Sequence, residues 1–258
     1  MPRVARVKSI TGIYHLIWRG INRQEIFHDE EDWITFLEIL QRYKKKLHFV
    51  VYAWCLMGNH VHLLIKEGGE DISITMKKIG VSYVGYYNRK YETNGPLFQG
   101  RYKSENVEEP GYLWRVIRYI HQNPVKAGMV VKPDDWQWNS CRGYYGEELY
   151  PQGLSDHQEI LKQISKDISV ARERFKEFNE RTNDDQCMEH TDKPQRITDK
   201  EARQQIKPLI HPLEIAHIQS LPKEKRDETL RKVKKIEKIT LRQISRILGI
   251  KLHIVFRA

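Results

Sequence analysis

"CLMGNHVHLLIKE", residues 55–67, reads as the centre of a sheet. Residues 49–57, "FVVYAWCLM", and residues 60–65, "HVHLLI", are short apolar runs, and Gly58-Asn59 lies between them. Two such runs around a two-residue turn signal predict a β-hairpin. Side chains alternate along a strand, so Val61, Leu63 and Ile65 share the apolar face and His60, His62 and Leu64 the other. One valine therefore separates two imidazoles that point the same way, roughly 7 Å apart at Cα. Both can reach one metal ion, for which imidazole is a common ligand. The same pattern also suits two half-exposed histidines on a polar sheet face, and β-barrel metalloenzymes carry it on many more strands. Alone it names no reaction.

The flanking sequence builds a domain around the hairpin. "IYHLIW" (13–18) predicts a strand, and "DEEDWITFLEILQRYKKKL" (29–47) an amphipathic helix. The acidic start and basic end of that helix complement its dipole. A second helix is expected over 72–91, a strand near Lys103 to Val107, and a third helix over 111–123, stopped by Pro124. Strands alternating with helices around a central hairpin predict an α+β fold, a small antiparallel sheet carrying helices.

In the third helix, "GYLWRVIRYIHQN", Leu113, Val116, Ile117 and Ile120 form the core stripe. Tyr112, Tyr119 and Asn123 then share one flank, while Arg115 and Arg118 lie toward solvent. Tyr119 can offer a phenolic oxygen to a phosphodiester, although an ordinary tyrosine, with a pKa of about 10, needs help as a nucleophile. A metal polarising the phosphate would supply it. Asn123, adjacent on the surface at i+4, offers an amide oxygen as third ligand. A margin tyrosine and a helix-terminating asparagine are the plain alternatives. Tyr83 and Tyr87, also i and i+4, are a rival nucleophile pair.

The chain has 258 residues and a net charge of +10, which favours a polyanionic partner, nucleic acid first. No apolar run is long enough to cross a membrane, and no secretory leader is expected. Cys55, Cys141 and Cys187 lack CxxC spacing and read as reduced thiols of a cytoplasmic protein, excluding a disulfide framework. All six Trp and all thirteen Tyr lie at or before Tyr150. Large aromatics dominate cores, so residues 1–150 are expected to form the main domain. Residues 151–200 are expected to be a partly helical linker and 201–258 a helical extension.

"MGNHVHLLI", "LFQGRYKS" and "RYIHQNPVKAG", in that order, resemble the IS200-like transposases, the single-tyrosine class of HUH enzymes, and most closely their REP-associated branch. The resemblance covers about residues 5–147. It implies a ferredoxin-like fold, with His60 and His62 as the metal-binding pair, Tyr119 as nucleophile and Asn123 as the third ligand. It implies Mg²⁺ or Mn²⁺, cleavage of single-stranded DNA beside a folded hairpin, a 5′-phosphotyrosine intermediate and a free 3′-OH. Arg19, Arg23, Arg101, Tyr102 and Lys103 sit in its loop motifs and are expected DNA contacts, with Arg115 and Arg118 on the third helix. Relatives are monomers or homodimers. A two-tyrosine nickase of rolling-circle type, with Tyr83 and Tyr87, is the alternative within the HUH class.

The last residues carry their own pattern. "KEKRDETLRKVKKIEK" (223–238) predicts a charged helix, and "TLRQISRILGIKLHIVFRA" (240–258) resembles a helix-turn-helix. Thr240 is the expected N-cap and Gly249 the turn, with Ile244, Ser245, Leu248, Ile250 and Val255 at the apolar and small positions. The helix from Leu252 has under two turns before Ala258 and reads as a shortened recognition helix. Such a unit would bind a duplex stem. A DNA-binding regulator with an inactive first domain, and a metallo-hydrolase of unrelated substrate, are the competing function classes.

Overall fold

The computed structural model describes residues 7–188, 199–236 and 239–258. It divides into two compact units, residues 1–190 and 191–258. The first is built from β1 (Ile13–Arg19), α1 (Glu30–Leu47), β2 (Val50–Met57), β3 (His60–Lys66), α2 (Ile72–Lys90) and β4 (Lys103–Asn106). The sheet order is β2-β3-β1-β4, with every neighbouring pair antiparallel. This is the expected ferredoxin-like α+β topology.

Local chemistry starts and stops the helices. Asp29 caps α1 by accepting from the Asp32 N–H, and His48 ends it in a left-handed conformation; such an N-cap stabilises by about 1 kcal/mol. Asp71 caps α2 through the Ser73 N–H. Leu16, Trp18, Trp54, Leu56, Val61, Leu63 and Ile65 face α1 and α2 and form one core with Phe36, Leu40, Ile79 and Tyr83.

The opposite face is covered as well. There α3 (Pro110–Lys126) lays Leu113, Val116, Ile117 and Ile120 on Ala53, Cys55 and Leu64. Helices α4 (Cys141–Tyr145), α5 (His157–Leu161) and α6 (Ile168–Glu180) complete this layer with Tyr144, Ile160, Leu161 and Phe175. The unit therefore runs past the expected boundary at residue 150. The aromatic count stops at Tyr150, but Phe175 is fully buried beside Tyr144, which binds much of 151–188 to the fold. Of the rest of the expected linker, 189–198 lie outside the described residues and 199–200 open a helix of the second unit.

One local expectation is corrected. Pro124 does not stop α3, which continues to Lys126. A proline in the last turn forfeits one hydrogen bond, and Ala127 N–H to Asn123 O (2.9 Å) and Met129 N–H to Pro124 O (2.9 Å) close the end beyond it. Gly58 and Asn59 do form the hairpin turn, yet neither takes the left-handed backbone of a primed turn. Other segments anchor the turn: Ile26 N–H donates to Gly58 O (2.8 Å) and Gly20 N–H to Asn59 O (2.9 Å).

The second unit contains α7 (Asp199–Ile210), α8 (Lys223–Lys234), α9 (Leu241–Leu248) and α10 (Leu252–Arg257). Ile206, Leu230, Val233, Ile244, Leu248, Ile250 and Val255 form its core. Thr240 caps α9 through the Gln243 N–H (3.1 Å), and Gly249 makes the turn at a φ of +68°. The charged helix ends at Lys234, and residues 237–238 lie outside the described residues. No helix among the described residues is long and apolar enough to cross a membrane. All three cysteines are free thiols.

Candidate active site

The sheet face under α3 carries three rows of side chains, read from strand register. Met57, His60 and Arg19 form one row; Cys55, His62, Ile17 and Lys103 the next; Ala53, Leu64, His15 and Glu105 the third. His60 and His62 point to this face together, their rings 5.1 Å apart. His60 is half-buried, and His62 is buried because α3 covers it.

Helix α3 brings the tyrosine. The Tyr119 ring lies edge-on to His62 at 5.8 Å. Asn123 follows one turn later, and its Nδ2 donates to Tyr119 O (3.0 Å), leaving Oδ1 as the atom a metal could take. Tyr112, on the same flank, is half-buried. The structure thus brings His60, His62 and Tyr119 onto one face, with Asn123 one helical turn beyond. Among the described residues no three His, Cys, Asp or Glu side chains gather to hold a metal. An ion here would take two imidazoles and an amide.

The two histidines expose the same chemistry. Asn59 Nδ2 donates to the Arg23 carbonyl (3.3 Å), so Asn59 Oδ1 faces His60 Nδ1 at 2.6 Å as an acceptor. His60 therefore carries its proton on Nδ1. His62 Nδ1 is engaged by His15 Nε2 at 3.1 Å. With Nδ1 engaged in both rings, Nε2 is the nitrogen a metal would take, and two imidazole nitrogens with an amide oxygen are a donor set that fits a divalent ion.

His15 is a residue that sequence reasoning passed over. It is fully buried, stacks on His62 (5.4 Å, 21° between planes) and sits 5.9 Å from the Tyr119 ring. Its Nδ1 faces Glu105 Oε2 at 3.6 Å. Burial pushes the His15 pKa down, opposed by Glu105, so the ring is neutral. Burial pushes Glu105 up, but the facing His15 ring, the Tyr112 hydroxyl and the Met188 N–H (3.1 Å) outweigh it and hold the carboxyl below its usual range. Alternation along "IYHLIW" was the available signal; the pairing of β1 with β3 was not. Lys126, also unforeseen, places Nζ 5.0 Å above the Tyr119 ring.

The expected DNA contacts divide. Arg19 closes the row of His60, half-buried; Arg23 and Arg101 are exposed; Lys103 stands in the row of His62. Arg115 is exposed, with its guanidinium 5.1 Å from the Tyr112 ring centre. Two expectations fail. Tyr102 is buried, edge-on to Trp18 at 6.1 Å with its hydroxyl on Ser73 Oγ (3.1 Å), and serves the core. Arg118 does not face solvent: it forms a two-point pair with Asp185 (2.7 and 3.0 Å) over the Phe178 ring, so its charge is met within the protein. Tyr83 and Tyr87 also lose their rival role. They lie in the α1–α2 core, across the sheet, with Tyr83 donating to Ile26 O (2.6 Å) and Tyr87 bonded to His28 (2.8 Å).

Residues 8–123 match the family described as "Transposase IS200 like". A Haemophilus influenzae protein named for the REP-associated tyrosine transposases is 26% identical over 124 residues, covering 43% of this chain and 70% of that protein. The REP-associated tyrosine transposase of Escherichia coli is 24% identical over 110 residues, 42% of this chain and 64% of that one. A solved REP-associated tyrosine transposase bound to a REP hairpin aligns at a TM-score of 0.48 with 20% identity, over 58% of this chain and 89% of its own.

Proposed function

We propose that this protein, whose residues 8–123 match the IS200-like transposase family, cuts and rejoins single-stranded DNA beside a folded hairpin, with Tyr119 as nucleophile. The observation that carries this is the Tyr119 ring 5.8 Å from His62, delivered by a helix of the same chain. The Tyr119 phenolic oxygen attacks the phosphorus and gives up its proton. The bond to O3′ breaks, leaving a 5′-phosphotyrosine and a 3′-OH. A 3′-OH then attacks the phosphotyrosine, releases Tyr119 and restores a phosphodiester; bond energy is conserved through the covalent link. A divalent ion, Mg²⁺ or Mn²⁺, held by His60 Nε2, His62 Nε2 and Asn123 Oδ1, would polarise the phosphate and offset its charge. Lys126 adds a cation above the phenol, where negative charge on its oxygen is favoured. Arg19, Arg23, Arg101, Lys103 and Arg115 remain the proposed backbone contacts, and the net charge of +10 supports them.

Single-stranded DNA from the gene's own flanks, incubated with Mg²⁺ or Mn²⁺, tests the reading. A tyrosine-linked product is expected from the wild type and none from Tyr119→Phe. Loss of the product in Tyr83→Phe or Tyr87→Phe, with Tyr119→Phe still reactive, would overturn it.

The second unit is proposed to bind the duplex stem. Its support is the Thr240 cap, the left-handed Gly249 turn and the following α10, the order of a helix-turn-helix. Hairpin affinity that is unchanged on deleting residues 223–258 would sink this part.

A further inference from the structure

Resting on the reading of His62 as a metal ligand, we infer that His15 is a positioning residue that holds His62 in its Nδ1–H form, with Glu105 setting the direction of the chain. His15 Nε2 and His62 Nδ1 lie 3.1 Å apart, and between two neutral rings only one carries the shared proton. If His15 Nε2 held it, His62 Nδ1 would accept and His62 Nε2 would be protonated, closing the nitrogen a metal needs. If His62 Nδ1 holds it, Nε2 presents a lone pair.

Glu105 breaks the tie. His15 Nδ1 is buried and makes no hydrogen bond within ordinary range, yet the carboxylate faces it at 3.6 Å. An anion there favours a proton on His15 Nδ1, which makes Nε2 the acceptor. The order is then Glu105 carboxylate, His15 N–H, His15 Nε2, His62 N–H, His62 Nε2. Glu105 is itself held by the Met188 N–H (3.1 Å) and pairs with His15 across β1 and β4. Stacking at 21° fixes the two ring planes together. The arrangement parallels Asn59 on His60, so both histidines present Nε2 by the same device: an acceptor placed against Nδ1. Outer partners of this kind orient metal-binding histidines generally.

Two measurements on the 258-residue chain test this. The first is a two-bond proton–nitrogen spectrum of metal-free, ¹⁵N-histidine-labelled protein at neutral pH, with rings assigned by single substitutions. His15 and His62 are expected in the Nδ1–H form; His62 as Nε2–H overturns the inference. The second is Mn²⁺ binding followed by electron paramagnetic resonance without DNA. His15→Phe removes the acceptor and is expected to bind roughly 10–100-fold more weakly. His15→Gln keeps an acceptor oxygen and is expected to bind closer to wild type. Equal losses in the two variants, or none in either, overturn the role. Should His15→Phe not fold, Glu105→Gln on the edge strand is expected to move His62 toward Nε2–H, and an unchanged His62 ring overturns the role of Glu105. Wild-type protein that takes up no Mn²⁺ overturns the metal reading alone, and the ring spectrum still decides the positioning.

Discussion

His121 shows how strongly single residues of α3 are committed to the fold. It is fully buried, bonds Ser140 Oγ (2.9 Å), and packs on Tyr144 and Phe175. Burial pushes its pKa down to about 3, with Asn179 opposing and His157 assisting. The unfolded ring titrates near 6.5. Between these values the unfolded chain binds a proton that the folded chain refuses, so stability falls as pH drops from 6.5 toward 3. The slope is up to about 1.4 kcal/mol per pH unit. Urea unfolding at pH 7 and pH 5 should therefore show a smaller pH loss for His121→Gln than for wild type; parallel losses would refute the assignment. His15 and His157 are also lowered by burial, so the slope should flatten without vanishing. At this scale the candidate site was partly legible. Alternation alone placed His60 and His62 on one face. His15 needed the pairing of two strands 47 positions apart, which no local pattern encodes. Arg118 looked solvent-facing from helical phase, but its partner Asp185 lies 67 residues later.

Among the elements, α2 meets the sheet through a glycine. A Cβ on Gly80 would stand 2.6 Å from the Trp18 indole, closer than atoms pack. Gly80→Ala should raise helix propensity slightly yet destabilise by about 1–3 kcal/mol through overpacking. Its melting temperature should fall, whereas Gly85→Ala, where a Cβ meets nothing within 4 Å, should hold or gain. If both substitutions stabilise, the close packing is wrong. The elements themselves were readable from period and caps, because Asp29, Asp71 and Thr240 act within three residues of their own position. The free edge of β2 was not. Residues 136–140 cover it, with Leu56 N–H on Trp138 O (2.9 Å), Ser140 N–H on Trp54 O (2.9 Å) and the Trp136 indole on Leu56 O (3.0 Å). "WQWNS" carries no strand period, since its bonds come from an irregular loop laid beside a strand about eighty residues earlier.

At the scale of the molecule, the question is whether one chain or two completes the candidate site. His15, His60, His62, Tyr119 and Asn123 all belong to one chain, and α3 is fastened to its own sheet. Leu113, Val116, Ile117 and Ile120 are buried there, each contributing about 1.5–3 kcal/mol. Arg118 and Asp185 pair with only 11% and 7% of their side chains exposed, and breaking such a pair costs about 3–5 kcal/mol. Exchanging α3 between subunits would first have to release all of this, together with the His121–Ser140 bond. The expectation is therefore cleavage in cis. Tyr119→Phe and His62→Ala, each inactive alone, should stay inactive when mixed and incubated with the DNA substrate. In a helix-swapped dimer, mixing would restore some sites that combine an intact Tyr119 with an intact His62. Recovery of covalent adduct in the mixture would therefore show that α3 serves a partner's sheet. A control with wild type diluted into either variant should give adduct in proportion to the wild type added, because each chain then carries its own nucleophile to its own histidines.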